Sequence, residues 1–206
     1  LDTIVTLGKV CENFYAVLAA SERDALTGLL NRRTYDVKLS TLLATQQKRQ
    51  LASQNEPENT RQIENLDCTW LAVIDIDFFK KVNDQYGHIY GDEVLLVLSQ
   101  LMARQFRSND LLFRFGGEEF IVIFEPVSQQ KATIALDKFM NAVRRQRFPM
   151  VGNITVSIGY ARIALGDHPT NILDNADKAL YFAKENGRNR ICSYENLVAQ
   201  GELKVE

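Results

Sequence analysis

The chain has 206 residues, a formal net charge of −2, 46% hydrophobic residues and 24% charged residues. This balance fits one globular domain with appendages and excludes a disordered chain, and the near-neutral charge gives no basic field that would recruit nucleic acid. Three widely spaced cysteines and two histidines argue against a disulfide framework and against a zinc or histidine-rich metal site.

The N-terminal segment, residues 1–22, is predicted to be a helix that carries a signal into the domain. Its apolar residues recur at the 3-4-3 spacing of a coiled-coil seam: Leu7, Val10, Phe14 and Val17. A helix packed on its own domain is the alternative. The sequence begins without a methionine and contains no signal peptide or membrane-spanning run. We therefore expect a cytoplasmic piece of a longer protein, with any sensor domain or membrane anchor lying upstream.

The first half of the chain then alternates helices with one strongly apolar strand. A turn around Thr27-Gly28 precedes an amphipathic helix, and residues 46–67 are predicted to form a polar surface loop of unusual length. The segment CTWLAVIDI is apolar on both faces, which predicts a buried central strand ending in Asp75 and Asp77 on one face. A short helix, a glycine-bounded loop and a longer helix from about Asp92 follow.

The second half contains a hairpin. The strands DLLFRF and EEFIVIFE are joined by Gly116-Gly117, and both glycines can take positive φ. A helix over residues 128–145, a strand in NITVSIGYARI, a helix closed by Gly187 and a strand in RNRICSY complete the order. Because the strands outnumber simple β-α-β alternation, we expect an α+β fold with a mostly antiparallel central sheet flanked by helices.

Two acidic positions predict a site for a metal ion and phosphates. Glu118 is expected first after the glycines at the sheet rim, and Asp75 closes an apolar strand and needs a partner. If the two strands are neighbours, their carboxylates face each other across one edge. Carboxylate oxygens suit Mg²⁺, which completes its shell with water and substrate phosphates. A single acidic strand end, taken alone, is more simply a solvated residue.

Four segments, in order, resemble the GGDEF domain of bacterial diguanylate cyclases: DALTGLLNRR, DIDFFKKVNDQYGHIYGDEVL, RFGGEEF and AKENGRN. The resemblance covers residues 24–194, and the motif is the GGEEF variant. It implies that two GTP condense to cyclic di-GMP and two pyrophosphates, on a fold similar to class III nucleotide cyclases. The working unit would be a homodimer, because the 3′-hydroxyl of one GTP must reach the α-phosphorus of the other. Residues 23–195 would be the catalytic domain, and residues 196–206 a tail without a readable motif.

The resemblance also assigns roles to residues around the acidic turn. Asp75, the backbone carbonyl of Ile76 and Glu118 would hold Mg²⁺, with Mn²⁺ as the alternative ion. Glu118 would also be the base for the 3′-hydroxyl, although a carboxylate is weakly basic and the metal would supply most of the activation. Glu119 would orient the site, and Lys80 would stabilise charge on the phosphates in the transition state.

The guanine and phosphate contacts follow from the same resemblance. Asn83, His88 and Asp92 would form the guanine pocket, and an aspartate can accept from the two guanine donors that adenine lacks, which favours GTP over ATP. Lys184 and Arg188 lie four apart around the last helix terminus and would grip phosphates from one helix face if the helix continued. The paired aromatics of this region are predicted to be core or pocket wall: Phe78 and Phe79.

These residues also have plain structural interpretations. Asp92 could cap a helix N-terminus, which is compatible with guanine binding. Asn83 could be a turn residue and His88 a loop histidine. Lys80, and the pair Lys184 and Arg188, would be ordinary surface cations if they stood alone.

A second nucleotide site is implied by the segment RSND before the hairpin. Arg107 and Asp110 match the family's R-x-x-D inhibitory motif, at which the product binds, and five residues separate Asp110 from Gly116. Arginine can fork onto phosphate or guanine, and aspartate can accept from guanine. The third member would be Lys138, or else Arg144 and Arg145. A polar helix-to-strand linker is the structural alternative.

Other functions remain open at the level of sequence. A non-catalytic receptor for c-di-GMP or GTP is the main alternative, although degenerate members lose turn or metal residues that are all present here. A cyclase with altered base choice is a third possibility, which Asp92 disfavours. The polar stretch over residues 46–67 is longer than expected for the family and is interpreted as a tolerated insertion.

Overall fold

In the computed structural model, the described residues are 21–53, 68–164 and 166–204, and the side chains of residues 49–53 are not described. The predicted N-terminal helix with its apolar seam lies outside the described residues, except for residues 21 and 22. Residues 54–67 of the predicted polar loop lie outside them as well. None of the described helices has the length and apolar character of a membrane-spanning segment.

The secondary structure alternates between strands of one sheet and helices that cover it. The strands are β1 (Leu30–Asn31), β2 (Thr69–Ile76), β3 (Leu111–Gly116), β4 (Glu119–Ile123), β5 (Val156–Ile163) and β6 (Ile191–Ser193). The helices are α1 (Arg32–Ser53), α2 (Phe79–Tyr86), α3 (His88–Gln105), α4 (Gln129–Arg145), α5 (Pro169–Glu185) and α6 (Tyr194–Ala199).

The strands form a single sheet in the order β1-β3-β4-β2-β5-β6. The inner pairings are antiparallel, whereas the edge strands β1 and β6 pair in parallel with β3 and β5. The α+β class and the mostly antiparallel sheet are therefore confirmed. β2 lies in the middle and is buried at every position, as its unbroken apolar run predicts.

The alternation of side chains along β2 feeds two hydrophobic cores. Ala72, Ile74 and Ile76 belong to a core shared with α2, α3 and α4. Leu71 and Val73 belong to a second core shared with α1 and α5. Asp75 continues the second series at the strand end, so its side chain belongs to the α1 and α5 side of the sheet. That side holds the acidic site described below.

Several predicted boundaries were wrong. The helix α1 continues through Gln46 to Ser53, so the predicted polar loop begins inside a helix. The helix α3 begins at His88 rather than near Asp92, which makes Asp92 an interior helical residue and excludes it as the N-cap. The short strand β1 was missed because it has only two residues and depends on pairing with β3.

The C-terminal part also differs from the sequence prediction. The helix α5 ends at Glu185, and Arg188 has a φ of 58°, so Lys184 and Arg188 do not share a continuing helix. The expected tail, residues 196–206, begins inside α6, whose Leu197 is only 5% exposed. This helix packs against the domain through an apolar residue that the sequence analysis had left without a role.

Candidate active site

The glycine–acid turn has a different register from the predicted one. Gly116 is the last residue of β3 and pairs with Glu119, after an irregularity between Arg114 and Gly116. The two-residue turn is therefore Gly117-Glu118, and only Gly117 of the two glycines has a positive φ, 35°. Glu118 lies in the turn itself, where its carboxylate is half-buried at the rim of the sheet.

The turn is fixed from behind by a long-range ion pair. Arg114 donates from Nε and Nη2 to the carbonyl oxygen of Gly117 at 3.2 and 3.0 Å. Its Nη1 donates to both carboxylate oxygens of Asp24 at 3.1 and 3.2 Å. Asp24 also accepts from the backbone N–H and hydroxyl of Thr27 at 2.8 and 2.7 Å. The segment DALTG therefore serves as an anchor for the turn, which the sequence analysis did not foresee.

Asp75 lies directly behind the turn with a cationic partner. It is 4% exposed and pairs across the sheet with Glu119, rather than with Glu118 as expected. The ammonium of Lys184 lies 2.8 Å from its Oδ2, which supplies the partner that a buried carboxylate needs. Burial raises the pKa of Asp75 above its usual value, Glu119 and Asp77 add to this rise, and Lys184 opposes it.

The donor set at the turn suits a hard divalent cation. Burial raises the pKa of Glu118, and the negative charge of Asp75 raises it further, as expected for a carboxylate that loses hydration and lies near a like charge. Across the described ranges, no three His, Cys, Asp or Glu side chains converge as a metal cluster of their own. Mg²⁺ commonly takes only one or two carboxylates and fills its remaining positions with water and phosphate. Asp75 and Glu118 therefore fit such an ion.

Asp77 has a separate structural role beyond the end of β2. Its carboxylate is 4% exposed and accepts from Thr155 Oγ1 at 2.6 Å and Ser157 Oγ at 2.7 Å. It also accepts from the backbone N–H of Asn189 at 3.1 Å. These contacts tie the loop after β2 to β5 and to the turn that follows α5. Asp77 thus holds two loops of the site together.

The paired aromatics after β2 have opposite environments. Phe79 is 5% exposed and belongs to the core shared with α2, α3 and α4. Phe78 is 52% exposed and has a φ of 60°, and the centroid of its ring lies 4.6 Å from the guanidinium carbon of Arg188. The next residue, Lys80, is exposed in the first turn of α2.

The predicted guanine residues lie around the junction of α2 and α3. Asn83 faces Gly91, where an added Cβ would lie 2.0 Å from Asn83 Oδ1. His88 and Asp92 are exposed on the first turns of α3. The glycine inside α3 was missed as a site residue, although an isolated glycine in a helix signals such a close approach. It leaves room for the Asn83 amide beside the helix.

The two cations predicted to bind phosphate, Lys184 and Arg188, lie beside an open cleft. Residues around the C-terminal end of α5 surround a volume of ≈ 660 Å³: Tyr181, Lys184, Glu185, Asn186 and Arg188. The backbone N–H of Arg188 donates to the carbonyl of Ala183 at 2.9 Å, which closes the helix end. Lys184 and Arg188 thus reach the same cleft from a helix end and from the turn that follows it.

The R-x-x-D segment borders a second cavity. Asp110 is 8% exposed and accepts from the backbone N–H groups of Arg107 and Glu125 at 2.9 and 3.2 Å. A cavity of ≈ 320 Å³ is lined by Arg107 and Asp110 together with Lys131 and Lys138 of α4. Lys131 was missed because a lone lysine on a helix face carries no sequence signal.

The alternative third cations lie elsewhere. Arg144 donates from Nε and Nη2 to Asn189 Oδ1 and O, both at 2.8 Å, which places it beside the turn that follows α5. Neither Arg144 nor Arg145 lines the cavity beside Asp110.

Comparisons with known proteins assign the chain to one family. The family model described as "Diguanylate cyclase, GGDEF domain" matches residues 21–190, and the chain belongs to the GGDEF domain family. It is 34% identical over 188 residues to the probable diguanylate cyclase DgcC of Escherichia coli K12, covering 90% of this chain and 46% of that protein. The chain therefore spans about half the length of the curated relatives it matches.

Solved structures extend the similarity to three dimensions. The coiled coil and GGDEF domain of DgcB from Caulobacter crescentus, in complex with c-di-GMP, matches with a TM-score of 0.79 and 28% identity. That match covers 93% of this chain and 95% of the solved chain. The active GGEEF domain of a diguanylate cyclase from Vibrio cholerae matches with a TM-score of 0.58 and 37% identity, covering 61% and 82% of the two chains.

Proposed function

We propose that this chain is an active diguanylate cyclase domain that condenses two GTP into cyclic di-GMP and two pyrophosphates. One observation carries the proposal: the ammonium of Lys184 lies 2.8 Å from the buried carboxylate of Asp75, which pairs in the sheet with Glu119, the residue directly after Glu118. Carboxylates for a divalent cation and a lysine for phosphate are the groups that phosphoryl transfer requires, because its catalysis rests on positioning and charge stabilisation.

Particular residues of the site would bind the metal ion and accept the proton. Asp75, the backbone carbonyl of Ile76 and Glu118 would hold Mg²⁺ or Mn²⁺, which offsets the charge that develops on the phosphate. Glu118 would accept the proton of the 3′-hydroxyl, because its half-buried position makes it more basic than a solvated glutamate. Glu119, directly opposite Asp75 in the sheet, would orient the site.

The phosphates would be held by cations from three places. Lys80 stands at the start of α2, Lys184 at the end of α5 and Arg188 in the following turn. Asp77 links the first and the last of these places through Asn189. This part-buried hydrogen bond would help to hold Lys80 and Arg188 in a fixed arrangement, which would keep the charge-stabilising groups preorganised.

The guanine base of GTP would be bound between α2 and α3. Asp92 would accept from N1–H and N2–H₂ of guanine, with Asn83 and His88 as further contacts. This donor pattern selects GTP over ATP, because adenine lacks the paired donors and would leave the carboxylate unsatisfied. The exposed position of Asp92 on α3 keeps it accessible to a nucleotide.

Two protomers would form the working unit. Each would bind one GTP, and the reacting groups meet only when the two sites face each other. The N-terminal segment, residues 1–22, predicted from the sequence to be a helix, would orient the pair for an upstream sensory domain in a cytoplasmic setting. Product inhibition would act through Arg107 and Asp110, with Lys138 and Lys131 as the cations of the same cavity.

The test is the product formed from GTP and Mg²⁺ by the purified chain, identified by mass. Glu118→Gln removes the charge at the turn with little change in shape, and Glu202→Gln makes the same change at an exposed distant position. We expect cyclic di-GMP from the parent and from Glu202→Gln, and a loss of at least about 10²-fold for Glu118→Gln. Specific activity should rise with protein concentration. Nucleotide binding without product at high concentration would instead indicate a receptor.

A further inference from the structure

Phe78 has a conformation and a set of contacts that its position in a loop does not require. Its φ and ψ are 60° and 27°, the left-handed region that bulky residues avoid. The residue is 52% exposed, yet the Arg188 guanidinium carbon lies over its ring, 4.6 Å from the centroid. The Lys81 ammonium lies at the same distance, 4.6 Å. An aromatic residue held in a costly conformation and left half in solvent indicates a role outside the core.

Arg188 is held by the same pair of loops through its neighbour. Arg188 and Asn189 have φ values of 58° and 50°, so both depart from helical geometry after α5. The backbone N–H of Asn189 donates to Asp77 Oδ2 at 3.1 Å. Consecutive residues of the turn after β2, Asp77 and Phe78, thus contact consecutive residues of the turn after α5. The hydrogen bond between Asp77 and Asn189 holds the backbone of the turn after α5. The contact between the Phe78 ring and Arg188 holds the arginine side chain.

We infer that Phe78 is a positioning residue that orients the guanidinium of Arg188 toward the phosphates of the nucleotide. An arginine that stacks on a ring uses its planar face, so its N–H edge stays free to fork onto phosphate. Stacking also removes rotamer freedom that a long exposed side chain would otherwise lose on binding. The inference rests on the proposed function, because the ligand is taken to be a nucleoside triphosphate.

Two substitutions separate the ring from the backbone. Phe78→Tyr keeps an aromatic face for Arg188. Phe78→Asn removes the ring but suits the left-handed conformation, which asparagine adopts more readily than other residues. The exposed position of Phe78 lets both variants fold, and thermal unfolding of each verifies this. If Phe78→Asn weakens nucleotide binding and Phe78→Tyr does not, the loss is therefore caused by removal of the aromatic ring.

The first measurement is the binding of 3′-deoxy-GTP with Mg²⁺ to the full chain by calorimetry, because this nucleotide lacks the attacking hydroxyl. We expect Phe78→Asn to weaken binding about three- to tenfold and Phe78→Tyr to bind like the parent. In an Arg188→Ala background, Phe78→Asn should have no further effect on triphosphate binding, because the positioning role of the ring is exerted on that arginine. With GTP as substrate, KM should rise by the same factor and kcat should change less.

The outcomes distinguish this inference from the proposed reaction. Equal losses from Phe78→Asn with and without Arg188, or no loss at all, would overturn the positioning role. A loss that persists with guanosine in place of the triphosphate would assign the ring to the base and would also overturn it. If the effects of Phe78→Asn and Arg188→Ala on binding are coupled but no cyclic di-GMP forms, the proposed reaction is wrong and the positioning role of Phe78 is retained. Failure of the parent to bind 3′-deoxy-GTP would overturn both.

Discussion

Gly159 is the position where one added methyl group should disturb both the fold and the site. It lies in the middle of β5 and pairs with Val73 of the central strand. A Cβ there would lie 2.1 Å from the backbone nitrogen of Leu180 and 2.2 Å from the carbonyl oxygen of Ala176, both in α5. These are backbone atoms, so no side-chain rotation can relieve the contact. The helix itself must move away from the sheet.

The cost of Gly159→Ala follows from that displacement. The helix must shift by about 1.3 Å before the new contact reaches the 3.4 Å of ordinary packing. Overpacking of this kind costs about 1–3 kcal/mol, and we expect the upper end or more because the opposing atoms are rigid. The helix carries Lys184, whose ammonium lies 2.8 Å from Asp75. A misplacement of about 1 Å at a reacting site can lower the rate about 10²-fold.

Urea unfolding measures the first effect and turnover of GTP the second. Gly116→Ala is the stability control, because no atom lies within 4 Å of its Cβ position and its φ is not positive. We expect a change of at most about 0.5 kcal/mol for this control. A Gly159→Ala variant within about 1 kcal/mol of the parent at an unchanged m-value would refute the close packing of α5 on β5.

Three further substitutions test separate contacts. Burial raises the pKa of Asp24, but hydrogen bonds from Thr27 and Arg114 and the charge of Arg114 outweigh this and lower it below its ordinary value of 3.8. Asp24→Asn should therefore lower the free energy of unfolding by about 1 kcal/mol after solvent screening. The stabilisation by Asp24 is present above the unfolded pKa and is lost as pH falls through the lowered folded pKa. The urea midpoints of parent and variant should therefore converge in acid. A difference between the two midpoints that does not change with pH would contradict the ion pair. Asp92→Ala should lower the preference of kcat/KM for GTP over ATP by at least about tenfold, and an unchanged ratio would remove Asp92 from base recognition. Lys131→Ala should weaken inhibition by c-di-GMP about tenfold while Arg145→Ala leaves it unchanged, and equal inhibition constants would exclude Lys131 from that cavity.

Local signals in the sequence were sufficient for the fold class and for the carboxylate behind the turn. An uninterrupted apolar run can only be a fully buried strand or helix, and its length and β-formers selected a strand, which is β2. The hairpin followed from paired glycines between two apolar segments. Asp75 was predicted to need a partner because an isolated buried carboxylate is costly, and Lys184 is that partner.

The errors occurred where tertiary contacts override local preference. The irregularity between Arg114 and Gly116 shifts the turn by one residue, so Glu119 rather than Glu118 faces Asp75. The helix α5 stops before Arg188 because left-handed residues follow it. The contact between Asp24 and Arg114 joins residues 90 positions apart in the sequence. The helical and strand periods of a sequence cannot predict a contact between residues so far apart. The same applies to Lys131, which becomes a site residue only when α4 packs beside Asp110.

The most direct test of the central claim is the isotope pattern of the product. The parent chain is incubated with Mg²⁺ and an equal mixture of unlabelled GTP and GTP labelled throughout its guanosine. If two GTP enter each product molecule, cyclic di-GMP appears as unlabelled, half-labelled and fully labelled species in a ratio of about 1:2:1. A product that appears only as unlabelled and fully labelled guanylate species, or no product at any protein concentration, would contradict the condensation of two GTP between paired domains.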